Sequence, residues 1–182
     1  MAKKLILITG MSGSGKTTLA NKFRVRGVAA VTMGDVIRSL AREKGLPLTP
    51  KNLGRLATGI RKEGGDDAVA KLCVEKIDDM PDEIVLVDGI RSIREVDVFG
   101  DRFEVALVTV FASQKTRYAR LTARGRSDDP TDLATFKARD DRELSFSLGH
   151  AIALADYVVL NEGGFEDFEN EFENLLTLIG WF

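Results

Sequence analysis

Near the start of the chain, Gly10-Met11-Ser12-Gly13-Ser14-Gly15-Lys16-Thr17 has the types and spacing G-x-x-x-x-G-K-[ST]. Glycines in such a loop let backbone N–H groups turn inward around phosphate oxygens, and a helix starting at the loop's end aims its positive dipole end at the same charge. Lys16 reaches the β- and γ-phosphates of a nucleoside triphosphate, the Thr17 hydroxyl joins a magnesium shell, and Thr18 extends the donor set. The blander alternative is a glycine-rich turn that matches by chance. The motif's position between an apolar run and a helical stretch argues for phosphate binding.

Other groups suit the same chemistry. Val87-Asp88-Gly89-Ile90-Arg91 ends an apolar run, which puts a carboxylate and a guanidinium at the C-terminal edge of a parallel sheet, where such sheets bind ligands. Asp88 is a magnesium partner there, directly or through water, and Arg91 a bidentate phosphate clamp. The alternative reading makes Asp88 the cap of the next helix, but Ser92 can supply that cap unaided. In Met33-Gly34-Asp35-Val36-Ile37-Arg38 the acid and the arginine share one helical face. Spacing leaves two readings open: ligands for a second substrate, or an Asp35 cap beside a surface arginine. Arg117, Arg120 and Arg124 recur at i, i+3 and i+7 as a basic stripe beside the polar loop Gly125 to Pro130, with Arg126, Arg139 and Arg142 following. A transferring phosphoryl group needs such donors, although a solvated face carries arginines too. His150 stands alone and reads as structural, Cys73 as a core residue, and Phe165, Phe168 and Phe172 as part of a packing face.

These residues need elements to hold them. Leu5 to Ile8 is a continuous apolar run, the pattern of a strand buried on both faces, and a helix follows from Lys16 to Arg24. The grammar recurs with strands at Val28 to Met33, Ile84 to Val87, Val105 to Phe111 and Tyr157 to Leu160. Helical patterns separate them, so a mostly parallel sheet covered by helices is expected, an α/β architecture. Two excursions interrupt it. Residues 34–83, punctuated by Thr49-Pro50 and Gly64-Gly65-Asp66, hold three helical segments, and Arg117 to Ala155 carries the arginine-rich stretch after a helix that begins past Ser113.

Composition narrows the classes. The 182 residues, 44% hydrophobic and 30% charged, contain no repeat or Pro-rich linker and read as one domain, 1–182. With 26 basic and 28 acidic residues the net charge is -2, which argues against a generally basic nucleic-acid binder. The single cysteine excludes an intramolecular disulfide and a cysteine-built zinc site. Leu5 to Ile8 is too short for a signal-peptide core or a membrane span, so a cytoplasmic protein without a membrane partner is expected.

On these motifs the chain resembles the P-loop nucleoside-monophosphate kinase superfamily, and over nearly its full length it looks like archaeal proteins described as adenylate-kinase-related or dephospho-CoA-kinase-like. Met33 to Arg38 is similar to the acceptor-nucleotide segment of adenylate kinases, which implies acceptor-binding roles for Asp35 and Arg38, and the segment ending in Arg91 implies one for that arginine. Val87 to Arg91 resembles their Asp-Gly-Phe-Pro-Arg segment with one residue fewer. Arg126-Ser127-Asp128-Asp129 followed by Arg139 looks like the adenylate kinase lid, with Arg120 and Arg124 on the helix leading into it. Ala155 to Gly163, with Asn161, is closer to dephospho-CoA kinases, whose loop after the last strand borders the donor adenine. The resemblance implies a five-stranded parallel sheet of order 2-3-1-4-5, an acceptor-binding helical insert at 34–83 and a lid at 113–142.

The expected activity is therefore transfer of the ATP γ-phosphoryl group, with Mg2+, to a small nucleotide-like acceptor, a nucleoside monophosphate favoured. Lys16, Asp35, Asp88, Arg126 and Arg139 are the candidate catalytic residues, and Thr17 and Asp88 the metal ligands. Two alternatives stand beside it: a hydroxyl-directed kinase of the dephospho-CoA kinase type with Asp35 as base, and a nucleotide-driven switch or RNA-associated ATPase. The oligomeric state stays open.

Overall fold

The computed structural model describes residues 3–126, 129–145 and 147–182. Five strands form one parallel sheet in the order β2-β3-β1-β4-β5: β1 (Lys4–Thr9), β2 (Ala29–Thr32), β3 (Ile84–Asp88), β4 (Glu104–Phe111) and β5 (Tyr157–Leu160). In the register, Leu5 stands beside Val85 on one side and Val105 on the other, which makes β1 the central strand. Side chains alternate across a strand with a period of two, so the apolar run of β1 feeds two separate cores. Leu5 and Leu7 meet Val85, Val87, Phe99 and Cys73 on one face. Ile6 and Ile8 meet Leu86, Val108, Phe23 and Phe172 on the other. Full burial of each such Leu or Ile is worth about 1.5–3 kcal/mol, enough to fix which face each helix covers.

Helix α1 (Lys16–Val25) follows β1, and α9 (Phe165–Ile179) packs beside it through an edge-to-face contact of Phe23 and Phe172 at 5.0 Å. The first excursion folds as α2 (Met33–Glu43), α3 (Pro50–Gly64) and α4 (Ala68–Asp78), with Thr49 capping α3 as its sequence suggests. Helix α5 (Ile93–Gly100) links β3 to β4. The second excursion holds α6 (Gln114–Arg124), capped by Ser113, then α7 (Leu133–Ser145) and α8 (Leu148–Ala153). Strand β2 is shorter than the expected Val28 to Met33. The Val28 N–H is taken by the Phe23 carbonyl at the end of α1, and Thr32 already caps α2. Among the described residues no helix is long and apolar enough to cross a membrane.

Candidate functional site

Residues 10–15 turn the chain from β1 into α1, and two of the glycines have no substitute. A Cβ on Gly10 would lie 2.4 Å from the Val110 carbonyl oxygen, and one on Gly15 would lie 2.2 Å from Asn161 Nδ2. Gly15 also has φ 112, a conformation that side chains resist. No side chain among the described residues caps α1, which leaves its first-turn N–H groups at the end of the loop without a side-chain partner, an arrangement that suits an anion. The buried Ser14 hydroxyl has no partner among the described residues. Lys16 Nζ donates to the carbonyls of Gly10 at 2.6 Å and Met11 at 3.0 Å. Burial pulls the Lys16 pKa down to about 8, against the opposing pull of Glu143 and Asp88. Lys16, Thr17 and Thr18 line a cavity of about 410 Å³ together with Arg120, Arg124, Arg126 and Arg139.

Asp88 stands at the sheet edge, paired in register with Ile8 and Thr32, and burial pushes its carboxyl up against the attraction of Lys16. Of the two readings open for Asp35, the structure excludes the helix cap. Thr32 is the cap of α2, accepting from the Asp35 N–H at 3.0 Å, which leaves the Asp35 carboxylate to pair with Arg38. Hydrogen bonding to Thr32 and the Arg38 guanidinium hold that carboxyl below its usual range. Neither Asp35 nor Arg38 lines the cleft that Arg91 lines.

That cleft, also about 410 Å³, is walled by Arg61 of α3, Arg91, Arg94 and Glu95 on β3–α5, and His150 of α8. His150 is exposed there, whereas its sequence context reads as structural. Glu95 is 1% exposed and joins the walls: it accepts the Arg91 N–H at 2.7 Å and faces Arg61 at 3.6 Å. Burial pushes its carboxyl up. Arg61, Arg94, Glu95 and Glu143 are absent from the sequence-based site. The Ser92-x-x-Glu95 spacing of a capping box was one available signal, and Ser92 does accept the Glu95 N–H.

The arginine stripe divides. Arg117 points inward, 5% exposed, with both terminal nitrogens on Asp140 at 2.8 and 2.6 Å. Arg120 donates to the Asn161 carbonyl at 2.9 Å and to Asn161 Oδ1 at 3.1 Å, while Asn161 Nδ2 donates to the Ser14 carbonyl at 2.7 Å. Asn161, expected as a cofactor ligand, thus spends its amide on bracing the loop. It also borders, with Arg120, Gly163 and Phe165, a recess of about 250 Å³. Arg124 pairs with Asp129, and Arg139 lies 3.9 Å from the same carboxylate. Ser127 and Asp128 of the lid segment lie outside the described residues.

A parallel sheet in this order, with a lysine-bearing glycine loop after its central strand, defines a nucleotide-binding P-loop fold of the kinase-like type. A family profile described as an AAA domain matches residues 6–143. The chain is 46% identical over 173 residues to a UPF0200 protein of Hyperthermus butylicus, covering 95% of this chain and 93% of that one. It is 45% identical over 177 residues to a UPF0200 protein of Methanocaldococcus jannaschii, covering 96% and 90%. The chain belongs to the UPF0200 family. Its fold is also that of shikimate kinase from Bacteroides thetaiotaomicron, with a TM-score of 0.61 at 15% identity and 99% of each chain covered. TT1252 from Thermus thermophilus gives 0.64 at 20% identity, covering 98% and 99%.

Proposed function

We propose that the chain transfers the γ-phosphoryl group of ATP, with magnesium, to a small phosphate-bearing acceptor of the nucleoside-monophosphate type. One observation carries this reading. Beside the loop cavity and the arginine-walled cleft is a third space of about 160 Å³, lined by Lys16, Arg139 and Arg91. Lys16 and Arg139 also line the loop cavity, and Arg91 also lines the cleft, so the third space shares cationic walls with both.

On this reading ATP supplies the transferred group, and its adenine takes the recess beside Asn161. The uncapped amides of α1 and Lys16 hold the donor phosphates, and the Thr17 hydroxyl and Asp88 carboxylate would hold a magnesium ion, which would offset phosphate charge. Arg61, Arg91 and Arg94 orient the acceptor anion, and Arg126 and Arg139 offset charge on the transferring group. Residues 34–83 serve as the acceptor insert and 113–142 as the lid of one domain. A phosphate acceptor is already anionic and needs no base, and the Asp35 carboxyl, engaged by Arg38 and held acidic, makes a poor one.

Incubation with γ-labelled ATP and a panel of nucleoside monophosphates and dephospho-CoA tests the proposal. Label on a nucleoside monophosphate supports it; label on the dephospho-CoA hydroxyl favours the hydroxyl-directed alternative. Label recovered only as inorganic phosphate replaces transfer by hydrolysis.

A further inference from the structure

The phosphate loop already holds an anion, and it is the chain's own. Glu143, on α7, accepts the Ser12 backbone N–H at 3.0 Å on Oε2 and the Ser12 hydroxyl on Oε1. Ser12 is one of the loop residues whose amides are the loop's anion donors. Lys16 Nζ rests on the carbonyls of Gly10 and Met11, immediately beside it, and Lys16 is the residue of this motif that reaches the β- and γ-phosphates. Glu143 also lines the third space, together with Lys16 and Arg91. Arg139, one helical turn earlier, holds the same carboxylate at 3.5 Å.

We propose that Glu143 is a specificity-determining residue for the donor: its carboxylate stands in for the terminal phosphate, so a triphosphate must displace it and a diphosphate need not. This rests on the proposed ATP-binding role of the loop. Arg139 and Glu143 lie one turn apart on α7, so displacement of the carboxylate takes place beside the guanidinium proposed to meet the phosphoryl charge. A donor lacking the third phosphate leaves Arg139 and Glu143 where they are, which keeps the empty and spent states alike.

Calorimetric titration of the full chain with magnesium and either a non-hydrolysable ATP analogue or ADP tests this. Glu143→Ala removes the competitor. Its affinity for the triphosphate should rise roughly tenfold, the scale of one charge-assisted hydrogen bond, and that for ADP should change less than about twofold. Glu143→Gln keeps the shape without the charge and should lie between Glu143→Ala and the native chain; it also guards against a folding defect in the alanine variant. A carboxylate that merely braces the loop predicts the opposite sign, weaker binding of both nucleotides. That result, an equal gain for both, or no change in their ratio would overturn the proposal while leaving ATP binding intact. A native chain that binds neither nucleotide takes the functional reading down with it.

Discussion

Arg117 and Asp140 form a buried fork-to-fork pair that fastens α6 to α7, and the same guanidinium donates to the Ser12 carbonyl at 3.2 Å and the Ala112 carbonyl at 3.3 Å. The pair ties the arginine-bearing helices to the phosphate loop. Removing one partner strands a buried charge, so Asp140→Ala should cost about 3–5 kcal/mol of unfolding free energy. Arg117→Lys should rescue little, because an ammonium cannot make two parallel bonds to one carboxylate. Urea unfolding of the purified variants measures both, and a loss below about 1 kcal/mol would mean the pair is dispensable.

Lys16 gives a prediction in protons. Its pKa of about 8 in the free chain means that it is largely neutral at pH 9, whereas phosphate oxygens stabilise the ammonium. Nucleotide binding should then take up nearly one proton at pH 9 and about a quarter of one at pH 7.5, and affinity should fall as pH rises above the free-state value. Titrations in buffers of differing ionisation enthalpy read the uptake directly. Lys16→Arg stays charged throughout and should show none.

The sheet was readable because burial on both faces leaves a distinct trace. Tyr157 to Leu160 matches β5 at both ends, and Leu5 to Ile8 lies within β1. Strand β2 ended early because hydrogen bonds from its flanking helices decide its limits, a tertiary effect that a short apolar run does not record. Helical spacing placed Arg117 with Arg120 and Arg124 correctly on one helix, yet spacing contains no information about what lies opposite. Asp140 decided that Arg117 turns inward. Glu143 escaped notice for the same reason, since its contact spans 131 positions of sequence.

Asp88→Asn should weaken the magnesium dependence of activity more than the binding of metal-free nucleotide, because it removes a charge beside the metal without touching the loop amides. Activity followed against magnesium concentration, alongside binding in chelator, separates the two. Equal losses would assign Asp88 a structural role.

Arg139→Ala should lower kcat by about 10²- to 10³-fold with a modest change in donor affinity, and Arg126→Ala should act in the same direction, as expected of donors that act on developing charge. Steady-state kinetics at saturating acceptor measures this. A rise in KM alone would make these arginines ordinary ground-state ligands.

Asp35→Asn and Arg91→Ala together identify the acceptor chemistry. With a phosphate acceptor, Asp35→Asn should leave the acid limb of the pH profile in place, while Arg91→Ala should raise acceptor KM about 10-fold or more through loss of a charge-assisted contact. Arg38→Ala, at a site away from the Arg91 cleft, should act more weakly than Arg91→Ala. Loss of the acid limb with a 10²- to 10⁴-fold fall in kcat for Asp35→Asn would instead mark Asp35 as the base for a hydroxyl.

The brace from Asn161 to the Ser14 carbonyl makes the phosphate loop depend on a distant part of the chain. The glycine loop follows the central strand, but the side chain that braces it comes from a residue just past β5, 147 positions further along the chain. A nascent chain, or a fragment cut before Tyr157, carries the motif without the scaffold that sets its shape. The shape of the phosphate loop is therefore a property of the assembled sheet and cannot be carried by the glycine motif in isolation.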